Sequence, residues 1–422
     1  MGVVSLTGWV RTALRDPRVR ALLALACLAV AATEVWSAYQ LPAADRMLDV
    51  RIYQASVRAM LTGGDAYAVS LNGYPFTYPP VALLVLLPTA AVSVPALWAL
   101  WTLAVVATAA LLARLAARRV GPRLPYAAVL LVVLASGPVQ RTIDFGQIGL
   151  MLVTLTAADA LGRPGRRWGG IAIGVCAAVK LTPLAFVPWL VVVGRRRDAA
   201  RAVAAFVACT AVAWLVLPAE SRFFWTRAIG RTDRVGDAAA VANQSLHGLL
   251  LRAGLRGAGE TAWWLGLGAV VSAIALVRSR LLWRRGARLE SVVVVGCATL
   301  LVSPITWSHH EGWTVLAVVA LLATGRRTPV VVAAALFAVI TWPLPEFATH
   351  LPGSPLGWPA LGWPVANARV LAQLGICLFA FGPRTTSARS RVPAVPSRAR
   401  LDAVPAAAPR AAPGAAPGAT PA

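Results

Sequence analysis

Apolar runs separated by short polar intervals repeat along almost the whole chain. They cover residues 21–39, 95–117, 125–138, 147–161, 168–180, 181–194, 199–217, 262–278, 290–304, 313–324, 329–343 and 364–382. Each predicts an apolar helix, because in lipid a chain satisfies its backbone polar groups only by bonding within itself. One crossing per run gives about 12 spans. Several runs are shorter than the ~20 residues a straight span needs. The two that meet at Lys180 are the clearest case, and short helices meeting inside a bundle often frame a site. Residues 78–93 depart from the pattern. Pro79, Pro80 and Pro88 interrupt them and Pro95 follows closely, so they predict a re-entrant or surface helix that does not cross.

Composition agrees with a bilayer. Of 422 residues, 58% are hydrophobic and 13% charged, with a mean hydropathy of +0.69; soluble domains carry about 25% charged residues. The expected fold class is an all-α polytopic membrane protein. Residues 1–383 form one bundle, and the Pro-, Ala- and Arg-rich residues 384–422 form a disordered cytoplasmic tail. The net charge of +24 does not indicate nucleic acid. Its arginines cluster between apolar runs, at Arg114–Arg123, Arg163–Arg167, Arg195–Arg201, Arg278–Arg288 and Arg326–Arg327. There they set topology and meet anionic lipid headgroups. If these clusters are cytoplasmic, residues 40–94, 139–146, 218–261, 305–312 and 344–363 face outward. A cleaved signal peptide is the alternative for residues 21–39, but the run continues to Trp36 and Tyr39 and reads as an uncleaved anchor. The five cysteines lie inside apolar runs without a pairing pattern and read as packing residues.

The polar intervals carry the candidate chemistry. The first, Asp49 to Pro80, opens on an acid and ends in Tyr78-Pro79-Pro80. Asp49 is either solvated, paired with Arg46 or Arg51, or functional. Arg141–Gly149 packs an arginine, Asp144, Gln147 and two glycines into the mouth of a run; Asp144 there also suits a helix N-cap. Lys180 is the only lysine in the chain. Between two apolar half-helices it must snorkel or pair, and a phosphate is one partner that a lysine binds as a point charge. Asn243-Gln244-Ser245, with His247 beyond, offers groups that both donate and accept, suited to sugar hydroxyls or to capping a helix. The adjacent pair His309-His310 follows a Ser-Pro turn and suits proton transfer better than metal binding, because neighbouring histidines seldom reach one ion. The sequence contains neither a D-x-D pair nor the G-x-x-x-x-G-K-[ST] phosphate loop.

Read in order, Asp49-Val50 with Tyr53, Phe76-Thr77-Tyr78-Pro79-Pro80, Asp144-Phe145-Gly146-Gln147, Lys180-Leu181-Thr182-Pro183, Asn243-Gln244-Ser245 and Ser303-Pro304-Ile305-Thr306-Trp307 with His309-His310 resemble the actinobacterial polyprenol-phosphate-mannose-dependent α-1,2-mannosyltransferases of the GT-C fold. The likeness runs from about residue 45 to 315. It implies a GT-C bundle with the first outer loop carrying the catalytic aspartate at Asp49 and the histidine pair lining the same site. It implies Lys180, with Arg141, against the donor phosphate, and Tyr53, Tyr78, Asp144, Gln147, Asn243 and Gln244 around the substrates. The donor would be polyprenyl-phosphate-mannose and the acceptor a glycolipid, a phosphatidylinositol mannoside or a lipomannan or lipoarabinomannan. Neither metal nor other cofactor is expected, and the site would lie on the outer face of the cell membrane. Glu311-Gly312 and Gly149 depart from the usual family pattern and bear on the acceptor. The alternatives are a related transferase for another sugar or acceptor, or a transporter of lipid or sugar, which also uses intramembrane charge and broken helices.

Overall fold

The structure, a computed structural model, describes residues 16–349 and 359–381. The expected tail at 384–422 and part of the outer interval 344–363 lie outside the described residues. Helices dominate. Among the described residues the only strands are Ser70–Leu71 and Tyr74–Pro75, an antiparallel ribbon pairing Ser70 with Pro75 and Leu71 with Tyr74. Asn72 and Gly73, both at positive φ, close its turn.

Among the described residues, four helices are long and apolar enough to cross a membrane: Pro17–Gln40, Val94–Arg123, Arg196–Val216 and Gly257–Arg284. Tyr126–Leu134 and Gly137–Phe145 make a fifth span if taken together, bent by 57° at the break between them. The chain is therefore an all-α membrane protein. The lipid-facing character shows in the long helices, which leave Leu22, Leu25, Val207, Leu215, Trp263 and Val270 exposed. Water would not tolerate so much apolar surface, whereas lipid does. Arg288–Val302 and Gly312–Leu322 are buried on nearly every side and form the centre of the bundle.

The other apolar runs fold as shorter helices: Gly149–Ala160, Ile171–Val179, Thr182–Val192, Arg327–Thr341 and Ala368–Leu378, besides the two central ones. The hydropathy pattern thus located the helices, but their lengths do not establish the expected 12 crossings. Residues 78–93 form a short helix, Pro80–Val85, and a 3₁₀ turn, Leu87–Ala91. Val81, Ala82 and Leu83 are buried, so this piece is packed into the bundle.

The two ends of the bundle differ in chemistry. Near the start of the Val94–Val120 helix, Trp101 lies against Tyr53, with ring centroids 6.1 Å apart. Arg119, near its other end, donates to the Leu161 carbonyl. At 1.5 Å per residue these contacts are about 27 Å apart along the axis. The arginine end also holds Arg195, which donates to the Ala160 carbonyl at 2.6 Å and pairs with Asp198 at 2.6 Å. Asp49, Gln147 and Tyr78 belong to the Tyr53 end.

Lys180 is positioned by the Ile171–Val179 helix, which ends one residue before it. That helix crosses Arg196–Val216 at Gly174, where a Cβ would overlap the Ala202 carbonyl and stand 2.8 Å from Ala205 Cβ. Replacing Gly174 by valine forces the two helices apart and should cost about 1–3 kcal/mol, as overpacked cores do. A lower thermal midpoint of the detergent-purified variant checks this.

Candidate active site

The Leu48–Leu61 helix follows Met47, which sits at φ 47° and donates its N–H to the Asp144 carbonyl at 2.8 Å. The helix therefore starts docked on the C-terminal end of Gly137–Phe145. Gly146 makes the close approach possible: its φ is +68°, and a Cβ there would stand 2.8 Å from Val50 Cγ1. Asp49 lies in the first turn, where helix N–H dipoles favour an anion. The same docking delivers Gln147 to it.

Gln147 is the hub. Its side chain bonds the Asp49 carboxylate. Its Oε1 accepts from the Tyr78 hydroxyl at 3.0 Å and lies 3.2 Å from that of Tyr53; the two hydroxyls are 3.0 Å apart. With the oxygen occupied by phenols, the amide N–H end is left for the carboxylate. Burial raises the Asp49 pKa to about 6, against the opposing effects of the Gln147 bond and the Lys180 charge. Asp49 thus stands near the pH at which a carboxylate works as a general base.

Lys180 occupies the break between two helices. Its Nζ lies 2.9 Å from His310 Nε2 and 5.3 Å from the Tyr78 ring centroid. It is felt electrostatically at Asp49, yet no salt bridge joins the two. His310 also accepts from the Trp307 N–H, at 3.2 Å through Nδ1. A neutral imidazole accepts at one nitrogen only, so Trp307 and an ammonium at Lys180 compete for this ring. Burial first, then the charge of Lys180 and the neighbouring His309, hold the His310 pKa well below its usual value. His309 packs edge-on against His310, with centroids 4.4 Å apart, and against Phe145 at 5.7 Å; both its ring nitrogens are unpartnered.

Asp49, Tyr53, Tyr78, Gln147, Lys180, His309 and His310 are thus brought together. Asp144 is not an N-cap: it lies inside Gly137–Phe145 and pairs with Arg141 at 3.2 Å. The Arg141 side chain is 47% exposed, which leaves the rest of its guanidinium open to a ligand. Asn243 and Gln244 are committed to the protein itself. Both are buried, and their amides bond protein: Asn243 Nδ2 to the Ala238 and Pro304 carbonyls at 2.8 and 3.1 Å, Gln244 Nε2 to those of Val241 and Ala366 at 2.6 and 2.8 Å. Ser245 caps the Leu246–Arg252 helix. Two residues escaped the sequence reading. Glu34, an acid inside an apolar run, faces the Arg141–Asp144 pair, and the run itself was the available signal. Glu260 reaches His247; the two sit on successive helices, Leu246–Arg252 and Gly257–Arg284, and their spacing gives no helical register that links them.

A model of Glycosyltransferase family 87 matches residues 76–304. The chain is 33% identical to a polyprenol-phosphate-mannose-dependent alpha-(1-2)-phosphatidylinositol pentamannoside mannosyltransferase of Mycobacterium tuberculosis (strain CDC 1551 / Oshkosh), over 70% of this chain and 70% of the relative. It is 31% identical to a polyprenol-phosphate-mannose-dependent alpha-(1-2)-phosphatidylinositol mannoside mannosyltransferase of Mycolicibacterium smegmatis (strain ATCC 700084 / mc(2)155), over 67% of this chain and 71% of the relative. No solved structure matches the chain.

Since the Gln147 bond lowers the Asp49 pKa, Gln147→Leu should move that titration to higher pH. Difference infrared spectroscopy of the protonated-carboxyl band, with Asp49→Asn as the blank, reads the shift directly.

Proposed function

The chain belongs to glycosyltransferase family 87, and on that premise we propose that it moves mannose from polyprenyl-phosphate-mannose to a lipid-linked mannoside in α-1,2 linkage, with inversion. The names of the relatives supply the donor and acceptor class. The observation that carries the reading is a carboxylate and an ammonium at one end of the bundle, each held by its own neutral partner and not by the other. A glycosyl phosphate offers one group to each, a sugar to the carboxylate side and a phosphate to the ammonium.

In this reading the acceptor 2-hydroxyl attacks the anomeric carbon of the β-mannosyl donor as Asp49 takes its proton. The carbon–oxygen bond to phosphate breaks, and its electron pair leaves with the polyprenyl phosphate. Lys180 faces the charge that develops there, the kind of placed cation that stabilises a departing phosphate. A phosphate drawing Lys180 to itself also frees His310 to satisfy Trp307. Arg141 is the second cation for the donor, and Tyr53, Tyr78 and the unpartnered nitrogens of His309 line the sugar. His310 orients Lys180 and stays neutral. No step needs a metal, because the leaving group is already a lipid phosphate met by Lys180.

The same reading takes the shorter helices as broken crossings of a GT-C bundle with about 12 spans. It sets Asp49 on the extracytoplasmic face of the cell membrane and the arginine end in the cytoplasm, following the positive-inside rule.

Incubating the purified protein with labelled polyprenyl-phosphate-mannose and a phosphatidylinositol mannoside, then separating the lipids, tests the proposal. A labelled, α-1,2-extended glycolipid is expected; donor movement between vesicles without bond formation would instead indicate a transporter. Asp49→Asn should cut turnover by at least about 10²-fold with folding intact, as loss of a general base does. In the wild type, a base with a pKa of about 6 must be ionised to act, so kcat/KM should fall as pH drops through that value.

A further inference from the structure

The turn that carries His309 and His310 is gripped from one side by residues the reaction does not use. The Pro304 carbonyl oxygen receives three contacts: Asn243 Nδ2 at 3.1 Å, Ser245 Oγ at 3.1 Å and His247 Nδ1 at 3.1 Å. Thr306, two residues on, donates its N–H to Asn243 Oδ1 at 2.9 Å and accepts from the Gln244 N–H at 2.8 Å. Trp264 donates to the Val302 carbonyl at 3.2 Å and stacks on the His247 ring, centroids 4.9 Å apart and planes at 32°.

His247 is the unusual member of this grip. Its other nitrogen, Nε2, lies 2.9 Å from Glu260 Oε1. Glu260 Oε1 makes no aligned hydrogen bond there; the two side chains meet by close contact. One nitrogen faces a carbonyl and the other a carboxylate, and neither has anything to accept from. The ring is thus held between two oxygens, one at each nitrogen. Both His247 and Glu260 are buried. Burying polar groups is costly unless they find partners, and here the partnered ring secures the carbonyl of one turn.

We propose that His247, held against Glu260, is a positioning residue for donor phosphate recognition: it fixes the Ser303–His310 turn, and through it the contact of His310 with Lys180. The path is continuous. The grip sets Pro304 and Thr306; the next residue, Trp307, donates its N–H to His310 Nδ1 at 3.2 Å and accepts from the His310 N–H at 2.9 Å; His310 Nε2 meets Lys180 Nζ at 2.9 Å. The inference rests on the mannose-transfer reading above, in which Lys180 faces the leaving phosphate.

The test replaces both partners at once, His247→Phe with Glu260→Leu. The phenyl ring keeps the stacking on Trp264, and no carboxylate is left buried without a counter-ion. Transfer from labelled polyprenyl-phosphate-mannose is measured with detergent-purified protein whose thermal midpoint is recorded alongside. A folded double variant should lose on the order of 10–10²-fold in kcat, the scale of a small misplacement of a catalytic contact. In a His310→Ala background the same pair should cost less than about twofold more, because groups acting as one unit are not additive. Glu260→Gln is a milder second variant that should show a smaller loss with the same dependence on His310. Turnover within about twofold of wild type, or an equal loss in both backgrounds, overturns the positioning role. Wild-type protein that transfers no mannose overturns the reading beneath it, and this inference with it.

Discussion

An acid and an ammonium share one end of this helical bundle without closing into an ion pair. That separation is the constraint on which the site depends. Direct contact would stabilise the carboxylate and depress its proton affinity, leaving a poor base and a cation already spent. The fold prevents this by giving each charge a neutral partner. Gln147, its oxygen engaged by two phenols, offers its N–H end to Asp49. His310 stands 2.9 Å from Lys180. Burial raises Asp49, while the unclosed distance to Lys180 keeps the attraction from reversing the effect.

Membrane-protein architecture explains where such a site can exist. Within hydrocarbon, a polar side chain on a continuous helix is costly, and backbone breaks are tolerated only where protein covers them. Four residues of this site accordingly sit at helix termini: Asp49 in a first turn, Gln147 just past a helix end, Lys180 between two short helices and His310 in a turn between the two most buried helices. Gly146 and Gly174 allow the close backbone approaches that bring those termini together. The long, lipid-exposed helices carry none of this chemistry; they provide the wall around it.

Hydropathy made most of the helices legible, because lipid imposes one solution on an apolar run. It could not tell a span from a half-span. Residues 168–194 read as two runs and fold as short pieces around Lys180, and only tertiary contacts decide their depth. The site was legible where charge stood out against an apolar background, as at Asp49 and Lys180. It was less legible where polar residues serve the chain itself. Asn243 and Gln244 have the donors and acceptors of a sugar-binding pair, but their amides meet the Pro304, Ala238, Val241 and Ala366 carbonyls. Residue type specifies hydrogen-bonding capacity, and the fold decides whether a ligand or the backbone uses it. Asp144 was ambiguous for a similar reason: a helix cap and an ion-paired acid require the same side chain.

The same distinction bears on which group can take the acceptor's proton. Histidine is the usual choice near neutral pH, and two stand in the site. His310 is the poorer base of the alternatives because both ring nitrogens are engaged, by Trp307 and by Lys180. Burial and the adjacent lysine charge further disfavour its protonation. His309 has free nitrogens, but burial and then the Lys180 charge oppose a second cation there as well. Asp49 gains from the arrangement that weakens the histidines. A carboxylate that takes a proton becomes neutral, which a buried site favours, whereas an imidazole that takes one becomes a cation beside another. For the proposed reaction, charge balance therefore favours the acid as base over either histidine.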